Sequence, residues 1–434
     1  MTRLFEKGFD ERRRSWLFAC VSMLTGGLVS RAAAEAGRLD PEFSKLPFPQ
    51  WLSEGERASD ISWSADILPA VISSHQRLML RIVIRVAGGS LAKRRGAGEF
   101  VTLVQYTDGS KAVWQNHTTL DLTTLTQGIE NSQIAIAQYA FVLPGDYSLA
   151  IAVCDTATLE HSIIFREAHA DPLRPDPLPE AWSGLPAVEF IPPITQPPDV
   201  WYLPGIEQRL NLGVNTRRKV HIQLLMNTTA SDAGSLSAMQ TNMSLMIPAL
   251  KVLSQMDVRN GSIDIAFLDL TQRRVTFEQH DVREPDWEKM RKLLLDVRPG
   301  LVDVRDLKSR TKMQEFFRDE VRRRLVAAEP QSGEAPIRIV IALSGPAFLH
   351  EQEAPGPQET PENTDGRLFY VRFQVRVLPV PSPRKRGVPQ TSAALPVDDL
   401  ERAVEPFGAA VYEATSAARF REILAQVLTQ ISKL

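Results

Sequence analysis

The chain has 434 residues, of which 43% are hydrophobic and 24% charged, with a formal net charge of −2. That length exceeds one ordinary hydrophobic core and implies at least two domains. The composition excludes a disordered chain, and the near-neutral charge argues against a dedicated nucleic-acid binder.

The first 34 residues run from a basic stretch, "MTRLFEKGFDERRR", through the apolar "SWLFACVSMLTGGLVS" to the small residues of "RAAA". This is the three-part plan of a secretory signal peptide cleaved after Ala34. The pair Arg13-Arg14 is a loose twin-arginine match. An uncleaved anchor is the alternative, although the apolar run falls short of the roughly 20 residues a spanning helix needs. Cleavage leaves 44 basic and 49 acidic residues and one cysteine, Cys154. An exported chain with one cysteine has no internal disulfide, so packing alone must hold it together. No later segment is apolar enough to span a bilayer, so the mature chain is expected in the periplasm or secreted.

Residues 35–170 read as an antiparallel β-sandwich. "RLMLRIVIRVAGG", "EFVTLVQYTDGSKAVWQNHTTLDL", "SQIAIAQYAFVL" and "DYSLAIAVCD" alternate apolar and polar positions, with turns at "TDGS" and "PGD". Strands in succession without helical periodicity between them favour this class. The bracket "LPGDYSLAIAVCD" resembles the "PGxYxL" ending of bacterial immunoglobulin-like and fibronectin-type modules. Residues 171–204 are dense in proline and read as a semi-rigid extended linker and domain boundary.

From 205 to 434 the periodicity changes to alternating strands and helices. "KVHIQLLM" is a buried strand, and "SLSAMQTNMSLMIPALKVLSQM" is a helix with Pro248 inside it. Strands follow at "GSIDIAFLDL" and "RRVTFEQHDV", then helices at "DWEKMRKLLLDV" and "TKMQEFFRDEVRRRLVA". "IRIVIALSG" is apolar throughout, as a central parallel strand should be, and "LFYVRFQVRV" alternates. The chain closes with helix, short strand and helix. This order implies a doubly wound α/β domain. Two stretches interrupt it, the acidic 351–366 and the basic 379–396, and both read as solvated loops.

Several enzyme classes lack their signatures. The seven histidines form no H-E-x-x-H, and there is no G-x-S-x-G elbow or P-loop. Cys154 lies on an apolar strand with no sign of thiolate activation. Ser344, at a strand end with His350 nearby in sequence, leaves an unrecognised envelope hydrolase as the alternative reading.

On the closing pattern "FGAAVYEATSAARFREILAQVLTQI" and the strand–loop–helix at "LLMNTTAS", residues 205–434 resemble a von Willebrand factor A (vWA) domain. The whole chain resembles exported bacterial vWA-related proteins of acidobacterial type. That resemblance implies a doubly wound Rossmann-type fold whose ligands bind at the carboxyl ends of its strands. It also implies a metal-ion-dependent adhesion site built from D-x-S-x-S, a threonine from a second loop, and an aspartate before glycine. Asn227 stands where the first aspartate would be, Thr229 replaces the first serine, Ser231 is kept, Thr311 corresponds to the threonine, and Ser344 replaces the last aspartate. A hard divalent cation such as Mg²⁺ needs carboxylate oxygens to offset its charge. With both gone, strong binding is not expected and no cofactor is assigned. The loops 227–235, 300–311 and 345–366 are expected to converge on a protein partner of the envelope or extracellular space. The expected function is non-enzymatic interaction, adhesion or assembly, with a purely structural spacer as a third reading.

Overall fold

The computed structural model describes residues 37–96, 98–125, 128–191, 208–229, 236–295, 310–326, 335–347, 366–374 and 398–434. Residues 1–34, expected from sequence to be a signal peptide, lie outside them. The chain divides into two compact units. One takes residues up to Val71, Leu78–Leu173 and Leu185–Pro193; the other takes Ile72–Arg77, Arg174–Gly184 and Ile194–Leu434.

The first unit holds two sheets. Strands β1 (Gly37–Arg38), β5 (Val113–Asp121), β4 (Glu99–Asp108), β7 (Gly145–Asp155) and β8 (His161–Ala170) form one, in that order. Strands β2 (Trp63–Ile72), β3 (Leu78–Ala87), β6 (Gln133–Val142) and β9 (Val188–Phe190) form the other. Pairing is antiparallel along β5–β4–β7–β8 and β3–β6–β9. Only β1 joins its neighbour β5 in parallel among the registers observed.

One face of β4 meets the second sheet. Gln138 Nε2 on β6 donates to Thr102 Oγ1 at 3.1 Å, and the Tyr106 ring lies edge-on to Phe190, 5.5 Å between centroids. The opposite face carries Val101 and Leu103, which with Ala150, Ala152, Cys154 and Ile163 are covered by Phe43, Leu46, Phe48 and Trp51. Those four come from the short helices α1 (Pro41–Ser44) and α2 (Phe48–Glu54) and the turn joining them, while the short helix α3 (Gly88–Ala92) follows β3. A sheet covered on both sides explains why "LAIAVC" in β7 is apolar at every position rather than alternating.

In the second unit a six-stranded sheet has the order β14 (Arg274–Gln279), β13 (Gly261–Asp269), β11 (Val220–Asn227), β15 (Ile337–Ser344), β16 (Arg367–Phe373), β17 (Ala410–Ala414). All neighbours are parallel except the edge strand β14. The pair β10 (Leu212–Val214) and β12 (Met256–Val258) stands apart as a small parallel sheet. The remaining helices of the unit are α4 (Leu236–Leu253), α5 (Trp287–Leu295), α6 (Arg310–Leu325), α7 (Asp399–Val404) and α8 (Ala417–Ser432).

The helices cover both faces of the sheet. On one, Met313, Phe317, Val321 and Leu325 of α6 and Leu400, Ala403 and Val404 of α7 pack on Leu225, Ala266, Leu268, Val340 and Ala342. On the other, Phe420 of α8 packs on Phe373, and α4 lies along β11, β15 and β16. Helix α8 begins where Ser416 Oγ accepts the Arg419 N–H at 3.1 Å, which is the reason the closing "ATSAARF" breaks strand and starts helix. The sheet is therefore doubly wound, and its strand order reverses between β11 and β15.

The proline-dense stretch contributes to both units. Val188–Phe190 adds the strand β9 to β6, whereas Asp176 and Trp182 are held by Arg421 of α8. Arg421 takes Asp176 in a fork at 2.7 and 2.9 Å, donates to the carbonyls of Leu178 and Gln76, and stacks on Trp182. Proline rigidity here serves pieces of packed structure, not an extended spacer throughout.

Candidate functional site

Open α/β sheets bind ligands beyond the carboxyl ends of their strands, at the point where the strand order reverses. Here Met226 pairs with Leu343 in register, so Asn227 and Ser344 end two adjacent parallel strands side by side. Their side chains meet: Asn227 Nδ2 donates to Ser344 Oγ at 2.9 Å. Asn227 Oδ1 accepts the Thr229 N–H at 3.0 Å, an Asx turn that reverses the chain as it leaves β11. Thr229 Oγ1 accepts the Leu270 N–H at 2.7 Å, and Thr228 Oγ1 donates to the Leu268 carbonyl. Two hydroxyls thus tie the loop after β11 to the end of β13.

Asn227, Thr228 and Ser344 are all buried. Ser344 Oγ donates to the Gly345 carbonyl at 2.6 Å. Tyr370, on β16, donates to Asp398 Oδ2 at 2.7 Å. Asp398 caps α7: its Oδ1 accepts the N–H groups of Leu400 and, across the sheet edge, Ala347. The Asp399 N–H returns a bond to the Ala347 carbonyl at 2.9 Å. Two side-chain pairs line the rim, Asn227–Ser344 joining β11 to β15 and Tyr370–Asp398 joining β16 to α7.

Burial pushes the Asp398 carboxyl above its ordinary range, against the Tyr370, Ala347 and Leu400 hydrogen bonds and the Arg372 charge, which pull it down. Arg372 stands 3.8 Å from Asp398 and is shared with Glu401 at 2.9 Å and Glu413 at 3.7 Å. Burial, followed by the neighbouring Asp398 charge, raises the Tyr370 phenol well above its usual value.

Of the residues singled out from sequence, Asn227, Thr229 and Ser344 are brought together. Thr311 is exposed in the first turn of α6, and the Asn227–Ser344 bond forms without it. Ser231 lies outside the described residues, as do 230–235, 300–309 and 348–365, which hold most of the loops expected to converge. Asp398, Tyr370 and Arg372 were missed. Asp398 had a legible signal, since an aspartate directly before "DLERAV" is a helix N-cap pattern.

Among the described donors, Asn227, Thr229 and Ser344 bring no carboxylate to a divalent cation. Asn227 presents an amide N–H toward Ser344 while its carbonyl oxygen is committed to Thr229. The nearby carboxylate, Asp398, is turned inward and accepts three hydrogen bonds. Among the described residues no group of three or more His, Cys, Asp or Glu side chains has the arrangement to hold a metal ion, and no helix among them is long and apolar enough to cross a membrane. At the strand reversal itself the described side chains Asn227 and Ser344 are neutral, buried and hydrogen-bonded to each other. Neither a protein-family model nor a curated protein sequence matches this chain.

Proposed function

We propose that the chain is an envelope interaction module, an immunoglobulin-like sandwich followed by a vWA-like domain that captures a protein partner through the carboxyl edge of its sheet without a cation. The observation that carries this reading is the Asn227–Ser344 bond at the strand reversal. An amide and a hydroxyl satisfy each other at the two positions where the resembling family places carboxylates. The 3-2-1-4-5-6 type of strand order with an antiparallel edge supports a vWA-like assignment. Tyr147, whose hydroxyl donates to the Leu143 carbonyl four residues upstream at 2.8 Å, supports an immunoglobulin-like one.

Catalysis by Ser344 is disfavoured, because the residue is wholly buried and its hydroxyl proton is engaged by the Gly345 carbonyl. The test is a photocrosslinking side chain at half-buried Thr229, compared with one at exposed Lys219 on the opposite edge. The proposal expects a saturable protein adduct from position 229 in intact envelopes, retained in excess chelator, and none from 219. Equal adducts from both positions, or loss on chelation, would count against it.

A further inference from the structure

A second constellation sits at the other end of the same sheet, where the parallel strands begin. His221 and Ser262 are the second residues of β11 and β13 and lie opposite each other in register. Asp264 is two residues beyond Ser262 and therefore shares its face of β13. His221 Nδ1 lies 2.7 Å from Ser262 Oγ, and His221 Nε2 lies 3.2 Å from Asp264 Oδ2. His280, just past β14, places its Nδ1 2.8 Å from the same Asp264 oxygen, and Asp264 Oδ1 accepts the Asp281 N–H at 3.0 Å.

The proton positions follow from what each group can do. Desolvation works to raise the Asp264 carboxyl, but the His221 and His280 bonds and the Asp281 N–H outweigh it and hold the group well below the usual carboxylate range. Ionised Asp264 only accepts, so neutral His221 carries its proton on Nε2. Its Nδ1 lone pair then accepts from the Ser262 hydroxyl. Exposure falls along the chain in the order such chemistry needs. Ser262 is half-buried, the His221 side chain is 20% exposed, and Asp264 is 8% exposed. A nucleophile within hydrogen-bond reach of a base, itself oriented by a fixed third group, is the diagnostic arrangement for nucleophilic catalysis.

The geometry points to Ser262 as an activated nucleophile that takes an acyl group from small esters, with His221 as general base and Asp264 as the residue that orients it. Ser262 Oγ bonds to the ester carbonyl carbon while its proton moves to His221 Nδ1. The carbon–alkoxide bond then breaks, and that proton leaves with the alcohol. Water repeats the sequence: its oxygen bonds to the acyl carbon, its proton goes to Nδ1 and then to the departing Ser262 Oγ, and a carboxylic acid is released. Asp264 stabilises the imidazolium formed in each half. The partner-binding edge is not involved, so this site stands or falls independently of the reading above.

The experiment is a fluorophosphonate probe applied to the full chain, with the adduct located by peptide mass spectrometry. The expected result is one adduct on Ser262, absent in Ser262→Ala and His221→Ala. Labelling of Asp264→Asn should be slower by about a hundredfold or more. No adduct on the folded wild-type chain would overturn the proposal without recourse to any variant. So would an adduct whose rate is the same in His221→Ala and Asp264→Asn as in the wild type, because Ser262 would then react without the relay.

Discussion

Asp398 is a carboxylate withdrawn from water, and three hydrogen bonds are the return for that desolvation. Replacing it with leucine leaves the Ala347 and Leu400 N–H groups and the Tyr370 hydroxyl unpaired. Urea unfolding should register a loss of about 2–4 kcal/mol. Asparagine keeps an acceptor for the two N–H groups and removes the buried charge, so Asp398→Asn should cost less than about 1 kcal/mol at neutral pH. The pH dependence separates the two species further. Asp398 titrates above its unfolded value, so its protonation stabilises the native state at pH below that value, and this contribution fades as pH rises through the raised one. The wild type should therefore gain on Asp398→Asn as pH is lowered from neutrality. Asp264 and Asp176 have the opposite sign. Their carboxyls are held low, so their contribution is present above the ordinary carboxylate range and lost as pH falls below it. Acid unfolding below about pH 4 should be blunted when Asp264 is replaced by asparagine.

At the scale of elements, Arg421 shows how one side chain can join distant pieces of chain. It is buried in α8 and holds residues from 72–77 and 174–184 by a carboxylate fork, two carbonyls and an indole face. Arg421→Leu leaves Asp176 without its counter-charge and should cost about 3–5 kcal/mol in denaturant unfolding. No periodicity announces such a residue, because "ARFREIL" reads as a helix with arginines on its wet side. The doubly wound order was legible for the opposite reason. Its strands are apolar runs such as "IRIVIALS", and its helices carry apolar stripes such as Met313, Phe317, Val321 and Leu325. Helices α1 and α2 were not legible, since "PEFSKLPFPQW" is short and broken by proline, and only the apolar outer face of β4 and β7 gives them a reason to form. At the rim, Asn227, Thr229 and Ser344 could be located because strand ends and Asx turns are local features. The link from Tyr370 to Asp398 spans separate elements, which sequence order does not reveal.

Over the whole molecule, the described residues hold one cysteine and no disulfide. Cys154 is free and buried, and burial, with the adjacent Asp155 charge, pushes its thiol up to about 12. A thiol reagent such as dithionitrobenzoate should leave Cys154 of the described fold unmodified at neutral pH and react with it once urea unfolds the chain. Immediate reaction in native buffer would contradict that burial. The strand order reverses between Asn227 and Ser344. There two neutral side chains satisfy each other, so the partner capture proposed above would rest on shape and hydrogen bonding. Calorimetric titration of the full chain with Mg²⁺ tests this most directly. Heats no larger than dilution throughout the sub-millimolar range are the predicted result, and a saturable sub-millimolar isotherm that Asn227→Ala abolishes would contradict it.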